Sequence, residues 1–150
     1  MAEKLQLCVI DDFDMCAQMI KDYTMSQFPD IVEGVYSFRS AKALHAFFKE
    51  RGNKPRIDFF IIDFYLSNAC SGDVGMTGVH VMRDLHNMPE YRKSVYAIAS
   101  AEDESYVNKH VRELVGEDIT YVFLSKPTII ARLNDLLSYV VQVNQLNTKK

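Results

Sequence analysis

Arg56-Ile57-Asp58-Phe59-Phe60-Ile61-Ile62-Asp63-Phe64-Tyr65-Leu66 is the stretch from which the fold can be read. Four large apolar residues stand between two acids, Asp58 and Asp63. A short run this apolar reads as a strand covered on both faces, as strands of parallel sheets are. From roughly Ser67 to Met76 the pattern gives way to Asn, Ser, Gly and Asp, which reads as a loop. Asp63 therefore stands at the carboxyl end of a central strand. In an open α/β sheet that end is where ligands bind.

The same grammar repeats on either side. Leu5–Ile10 reads as a first strand, ending in Asp11-Asp12, and Phe13 to about Gln27 as a helix with Met15, Met19, Ile20 and Tyr23 as its apolar stripe. Ile31–Phe38 reads as a second strand. Ser40 caps a helix whose Leu44, Phe47 and Phe48 share a face and which stops at Gly52. Beyond the central strand, Thr77 caps a helix carrying Val79, Met82 and Leu85, which ends before Met88-Pro89. Val95–Ala99 is a fourth strand closing on Ser100-Ala101, and Glu102–Val115 a fourth helix with Gly116 as its stop. Ile119–Leu124 is a fifth strand leading to Ser125-Lys126-Pro127. The last helix starts near Thr128, with Ile129, Leu133, Leu136 and Val140 on one face, and the polar end from Asn144 is expected to fray. Five βα units with short links predict a parallel sheet with helices on both faces and right-handed crossovers. Pattern alone leaves the strand order open.

Composition sets outer limits. A chain of 150 residues with 48% apolar and 25% charged residues is most simply one domain. Its formal charge of 17 − 20 = −3 and its pI near 5.8 give no electrostatic case for nucleic acid or an anionic membrane. No apolar run approaches the roughly 18 residues of a membrane span. Cys8, Cys16 and Cys70 are odd in number and lack metal spacing, as expected for reduced cytoplasmic thiols. His45, His80, His86 and His110 show no ligand spacing and read as surface or boundary residues.

The chemistry lies in what closes the strands: Asp11-Asp12, Asp63, Ser100-Ala101 and Lys126-Pro127. In a parallel sheet these ends share one edge. Two carboxylates about 5 Å apart repel by roughly 3 kcal/mol at an effective dielectric near 20. Three together require a cation or a raised pKa. Oxygen-only ligands suit Mg²⁺, and a hydroxyl and an ammonium beside it complete a cradle for a phosphoryl group. Each piece alone has an ordinary explanation. The acids can complement the dipole of the first helix, Ser100 can cap a helix, Lys126 can be a surface lysine, and Phe123 can fill the core.

Taken together these residues resemble a response-regulator receiver domain over essentially the whole chain. The resemblance implies a (βα)5 flavodoxin-like three-layer sandwich with sheet order 2-1-3-4-5, and a receiver domain over 1–147 followed by a polar tail at 148–150. It implies that Asp63 accepts a phosphoryl group from a phosphohistidine of a sensor histidine kinase or phosphotransfer protein, and that Mg²⁺ is held by Asp11, Asp12, Asp63 and the Tyr65 carbonyl. Ser100, Ala101 and Lys126 would bind the phosphoryl group. Ser100 and Phe123 would act as the switch that alters the face of the fourth helix, fifth strand and fifth helix toward a downstream protein effector. It further implies a cis Lys126–Pro127 peptide, a cytoplasmic location, and at most self-catalysed phosphoryl transfer and autodephosphorylation as enzymatic activity.

The sequence departs from the family in places. Ser67 stands where most receivers have proline, and Gly78 lies 15 residues after Asp63 (78 − 63), further than is usual. Asn68 to Val74 therefore reads as an insertion beside the site. Ser100 replaces a commoner Thr and Phe123 a commoner Tyr. The distal turn of the last helix, around Val140, Val141 and Val143, is a candidate homodimer contact. Two alternatives remain. Asp12-Phe13-Asp14 resembles the nucleophile and acid pair of haloacid-dehalogenase-type phosphatases, and a pseudo-receiver would serve as an interaction module only.

Overall fold

The computed structural model describes residues 3–52, 54–66 and 77–148. Ser67 and the Asn68–Val74 insertion lie outside the described residues. Ten principal elements alternate along the chain. They are β1 (Leu5–Ile10), α1 (Asp14–Gln27), β2 (Val32–Phe38), α2 (Ala41–Arg51), β3 (Phe59–Asp63), α3 (Gly78–His86), β4 (Val95–Ser100), α4 (Glu104–Val115), β5 (Val122–Ser125) and α5 (Ile129–Thr148). The strands form one parallel sheet in the order β2-β1-β3-β4-β5. This is the flavodoxin-like arrangement.

β3 is central, and all five of its residues are buried. Its alternation assigns them to two cores. Phe60 and Ile62 join Cys8, Ile10, Tyr96 and Ile98 beneath α2, α3 and α4. Phe59 and Ile61 join Leu7, Val9, Ala97 and Leu124 beneath α1 and α5. The register brings the chemistry to one edge, since Ile10 pairs with Ile62, Asp63 with Ala99, and Ser100 with Ser125.

Local signals act largely as anticipated. Ser40 Oγ accepts the Ala43 amide, and Gly52 closes α2 with φ +71°. Thr77 caps α3, and the His80 ring, expected to be an ordinary boundary residue, accepts the Thr77 amide at 3.0 Å. Gly78 is required by close approach. A Cβ there would lie 2.2 Å from the Asp63 carbonyl oxygen, while the Gly78 amide donates to the Phe64 carbonyl.

Several expectations are corrected. The inward face of α1 is Ala17, Ile20 and Thr24, whereas Met15 and Met19 are 72% and 49% exposed. Apolar spacing alone could not show that the small Ala17 and Thr24, and not the two methionines, face the neighbouring elements. α4 begins at Glu104 because Asp103 takes the cap position, its carbonyl accepting the Tyr106 and Val107 amides. β5 begins at Val122, where pairing with β4 starts. The Lys126–Pro127 peptide is trans, as is every peptide among the described residues. Pro127 sits in the first turn of the 3₁₀ segment Lys126–Thr128, continuous with α5, where its fixed φ and missing amide are tolerated. α5 continues as helix through Thr148. Val140 is fully buried, Val141 and Val143 pack against the core, and Asn147 donates to the Lys93 carbonyl. The outward apolar residues of that helix are Tyr139 and Leu146.

Candidate functional site

Three strand ends supply the charged centre. β1 delivers Asp11 and Asp12, β3 delivers Asp63, and the turn after β5 delivers Lys126. One carboxylate oxygen from each of Asp11, Asp12 and Asp63 lies within 4.8 Å of the others. Asp11 and Asp63 are each only 3% exposed. Lys126 Nζ sits 3.0 Å from Asp63 Oδ1 and 3.7 Å from Asp11 Oδ2. Asp11 is further fixed by the Phe13 amide, which donates to its Oδ1 at 2.9 Å.

Three carboxylates face one ammonium, and the electrostatics show the imbalance. Burial, followed by the Asp11 charge, raises the Asp63 carboxyl from its ordinary 3.8 to about 7, although Lys126 pulls the other way. Burial opposes the charge on Lys126, but its hydrogen bond and attraction to Asp63 outweigh this and hold its pKa above the usual lysine value. An excess of buried oxygen ligands with an elevated carboxyl pKa is the signature of a cluster that a hard divalent cation would relieve. The donor set fits Mg²⁺.

Ser100, at the end of β4, is 1% exposed, and its Oγ accepts the Glu102 amide at 2.9 Å. Ala101 is exposed at the start of the β4–α4 connection. Phe123, on β5 opposite Ile98, is half-buried against the core beneath α4. Tyr65 forms an isolated bridge with Thr77. Asp14, the second acid of the phosphatase alternative, turns outward to Arg39 at 3.3 Å and lies outside the acid cluster.

Other features of the edge were not anticipated. Cys16 lies close enough to Asp11 to hydrogen-bond to it, and burial together with that carboxylate raises its thiol to about 11, which keeps it protonated. Phe13, Met15, Cys16, Met19 and Tyr23 line an open groove of about 780 Å³ that reaches Lys126. The Tyr65 hydroxyl bonds to Glu102 Oε1 at 3.2 Å. The family resemblance had singled out only the Tyr65 carbonyl. No pattern in the chain pairs its side chain with a residue 37 positions away. The exposed methionines did carry a signal, an apolar stripe, but it was assigned to the core.

No protein-family model and no curated protein sequence matches the chain. Solved structures do. A CheY-like receiver domain from Methylobacillus flagellatus superposes with a TM-score of 0.61 at 18% identity, covering 92% of this chain and 99% of that one. The chemotaxis response regulator CheY4 of Vibrio cholerae gives 0.67 at 20% identity, with 92% and 99% covered. The phosphorylated cyanobacterial phytochrome response regulator RcpA gives 0.65 at 13% identity, with 92% and 91% covered.

Proposed function

We propose that this chain, which has the fold of CheY-like response-regulator receiver domains, is a phosphorylation-controlled switch of a two-component phosphorelay. The observation that carries this reading is Asp63 held between Lys126 and a pair of acids at the carboxyl edge of the sheet. In the proposed reaction an Asp63 carboxylate oxygen attacks the phosphorus of a phosphohistidine. The phosphorus–nitrogen bond breaks, its electron pair remains on the imidazole nitrogen, and an acyl phosphate forms on Asp63.

Asp11, Asp12, Asp63 and the Tyr65 carbonyl would hold Mg²⁺, which when bound offsets the negative charge of the carboxylates and of the incoming phosphoryl oxygens. Lys126, already 3.0 Å from Asp63, pairs with a phosphoryl oxygen. The buried Ser100 hydroxyl and the Ala101 amide take the remaining oxygens. Ser100 turning toward the phosphoryl group, with Phe123 following, would alter the face formed by α4, β5 and α5 for a downstream protein.

A sensor histidine kinase or phosphotransfer protein is the proposed donor. The groove along α1 supports this assignment, because it lies beside Lys126 and offers a mostly apolar surface for a partner that must bring its histidine to Asp63. Among the described residues no helix is long and apolar enough to cross a membrane. We take residues 1–147 as the receiver unit and its location as cytoplasmic.

Incubation with phosphoramidate or acetyl phosphate and Mg²⁺, read by intact mass, tests the proposal. One phosphoryl group is expected on the wild type, lost in Asp63→Asn and on chelation of the metal. A label that survives in Asp63→Asn and disappears in Asp12→Asn would instead make Asp12 the nucleophile. A wild type that neither labels nor responds to beryllofluoride would be an interaction module only.

A further inference from the structure

Two connections leave the sheet edge beside Asp63: the chain after β3, starting at Phe64-Tyr65, and the β4–α4 connection, Ala101–Asp103. They are joined by side chains. The Tyr65 hydroxyl donates to Glu102 Oε1, and the Glu102 amide donates to Ser100 Oγ at 2.9 Å. A single residue, Glu102, is thus held by its side chain from the chain after β3 and by its backbone from the serine expected to move.

The joint extends into α4. Phe64, buried next to Asp63, meets Tyr65, Tyr106 and His110 edge-on, with ring centroids at 4.8, 5.9 and 5.4 Å. Tyr106 and His110 also touch each other at 4.7 Å. Yet Tyr65 and Tyr106 remain 44% and 42% exposed. The pair is therefore anchored at the ring end and open to solvent at the hydroxyl end, an arrangement that can separate without opening the core.

We infer that Tyr65 and Glu102 form a latch that holds the β4–α4 connection, and through the Phe64–Tyr106–His110 rings the first turns of α4, in the unphosphorylated arrangement. This rests on the phosphoacceptor reading of Asp63 and adds how that site is regulated. In turning toward a phosphoryl group on Asp63, Ser100 gives up the Glu102 amide. That frees the backbone of Glu102 while its carboxylate is still tied to Tyr65. The latch opposes switching, and its strength sets the fraction of protein already in the switched state.

The test uses Tyr65→Phe and Glu102→Gln in the full chain. Tyr65→Phe keeps the ring and its contacts and loses only the hydroxyl. In Mg²⁺-free protein, hydrogen exchange followed by NMR is expected to show the Glu102 amide exchanging about three- to tenfold faster in Tyr65→Phe than in wild type, with β3 amides unchanged. With Mg²⁺, both variants are expected to bind beryllofluoride about two- to fivefold more tightly. Unchanged Glu102 exchange in Tyr65→Phe, or weaker beryllofluoride binding in both variants, overturns the latch. A wild type that shows no beryllofluoride response overturns the phosphoacceptor reading, and the switching role with it, whatever the exchange rates.

Discussion

Lys126 Nζ lies 3.0 Å from Asp63 Oδ1 and 3.7 Å from Asp11 Oδ2, so one ammonium is shared by acids from two neighbouring strands. It is the positive group of the centre, and removing it should affect metal and phosphoryl group in opposite senses. In Lys126→Ala, Mg²⁺ should bind more tightly, on the order of tenfold, because an opposing charge within a few ångströms is gone. Phosphoryl uptake from acetyl phosphate should fall by at least about tenfold, because a preorganised partner for the transferring oxygens is lost. Calorimetric Mg²⁺ titration and intact-mass labelling check the two halves.

Asp63 should make stability depend on pH in metal-free buffer. Its carboxyl is raised in the folded chain from 3.8 to about 7. Below about pH 3.8 it is protonated in both states and imposes no penalty. Between there and about pH 7 the unfolded chain gives up the proton while the folded chain retains it, so stability falls as pH rises. Above about 7 the penalty is constant, roughly 4 kcal/mol. Asp63→Asn has no such titration. Its stability advantage over wild type in urea should grow from pH 4 to pH 7 and shrink when Mg²⁺ is added.

Gly78→Ala should be severely destabilising. The new Cβ would meet the Asp63 carbonyl oxygen at 2.2 Å and Ile62 Cγ2 at 2.9 Å, and the backbone of a central strand cannot yield cheaply. A loss of about 3 kcal/mol or more is expected, lowering the melting temperature by roughly 10 °C. Thermal unfolding followed by circular dichroism is the measurement.

Thr24→Val should stabilise. The Thr24 hydroxyl is buried and has no hydrogen-bond partner among the described residues. Valine keeps the shape and removes the desolvated polar atom, for a gain of about 1–2 kcal/mol in urea unfolding. A loss of stability would mean that the hydroxyl has a partner after all.

Met15→Glu separates docking from chemistry. Met15 is 72% exposed and lines the groove beside Lys126 without joining the acid cluster. Labelling by acetyl phosphate should be unchanged. Transfer from a phosphorylated histidine phosphotransfer protein should slow by about tenfold, because a carboxylate would have to be desolvated in the interface. Equal slowing of both reactions would place Met15 in the chemistry itself.

Sequence by itself determined the alternation of strands and helices, the covered nature of β3, and the residue types at each strand end. These are local facts. Phe59–Ile62 is apolar on both faces whatever surrounds it, and Asp63 follows because the run stops there. Ser40, Gly52 and Thr77 were legible for the same reason, since a cap acts within four residues. Tertiary structure alone decided what touches across distance. It turned α1 so that Ala17 and Thr24 face inward and Met15 outward, because several phases of a mixed helix are compatible with its spacing. The strand-end pattern had already set Lys126 and Asp63 on one edge; the tertiary structure fixed their contact at 3.0 Å and brought Glu102 to Tyr65 across 37 residues. Such distances and side-chain pairings depend on sheet order and register, which the spacing along the chain does not specify.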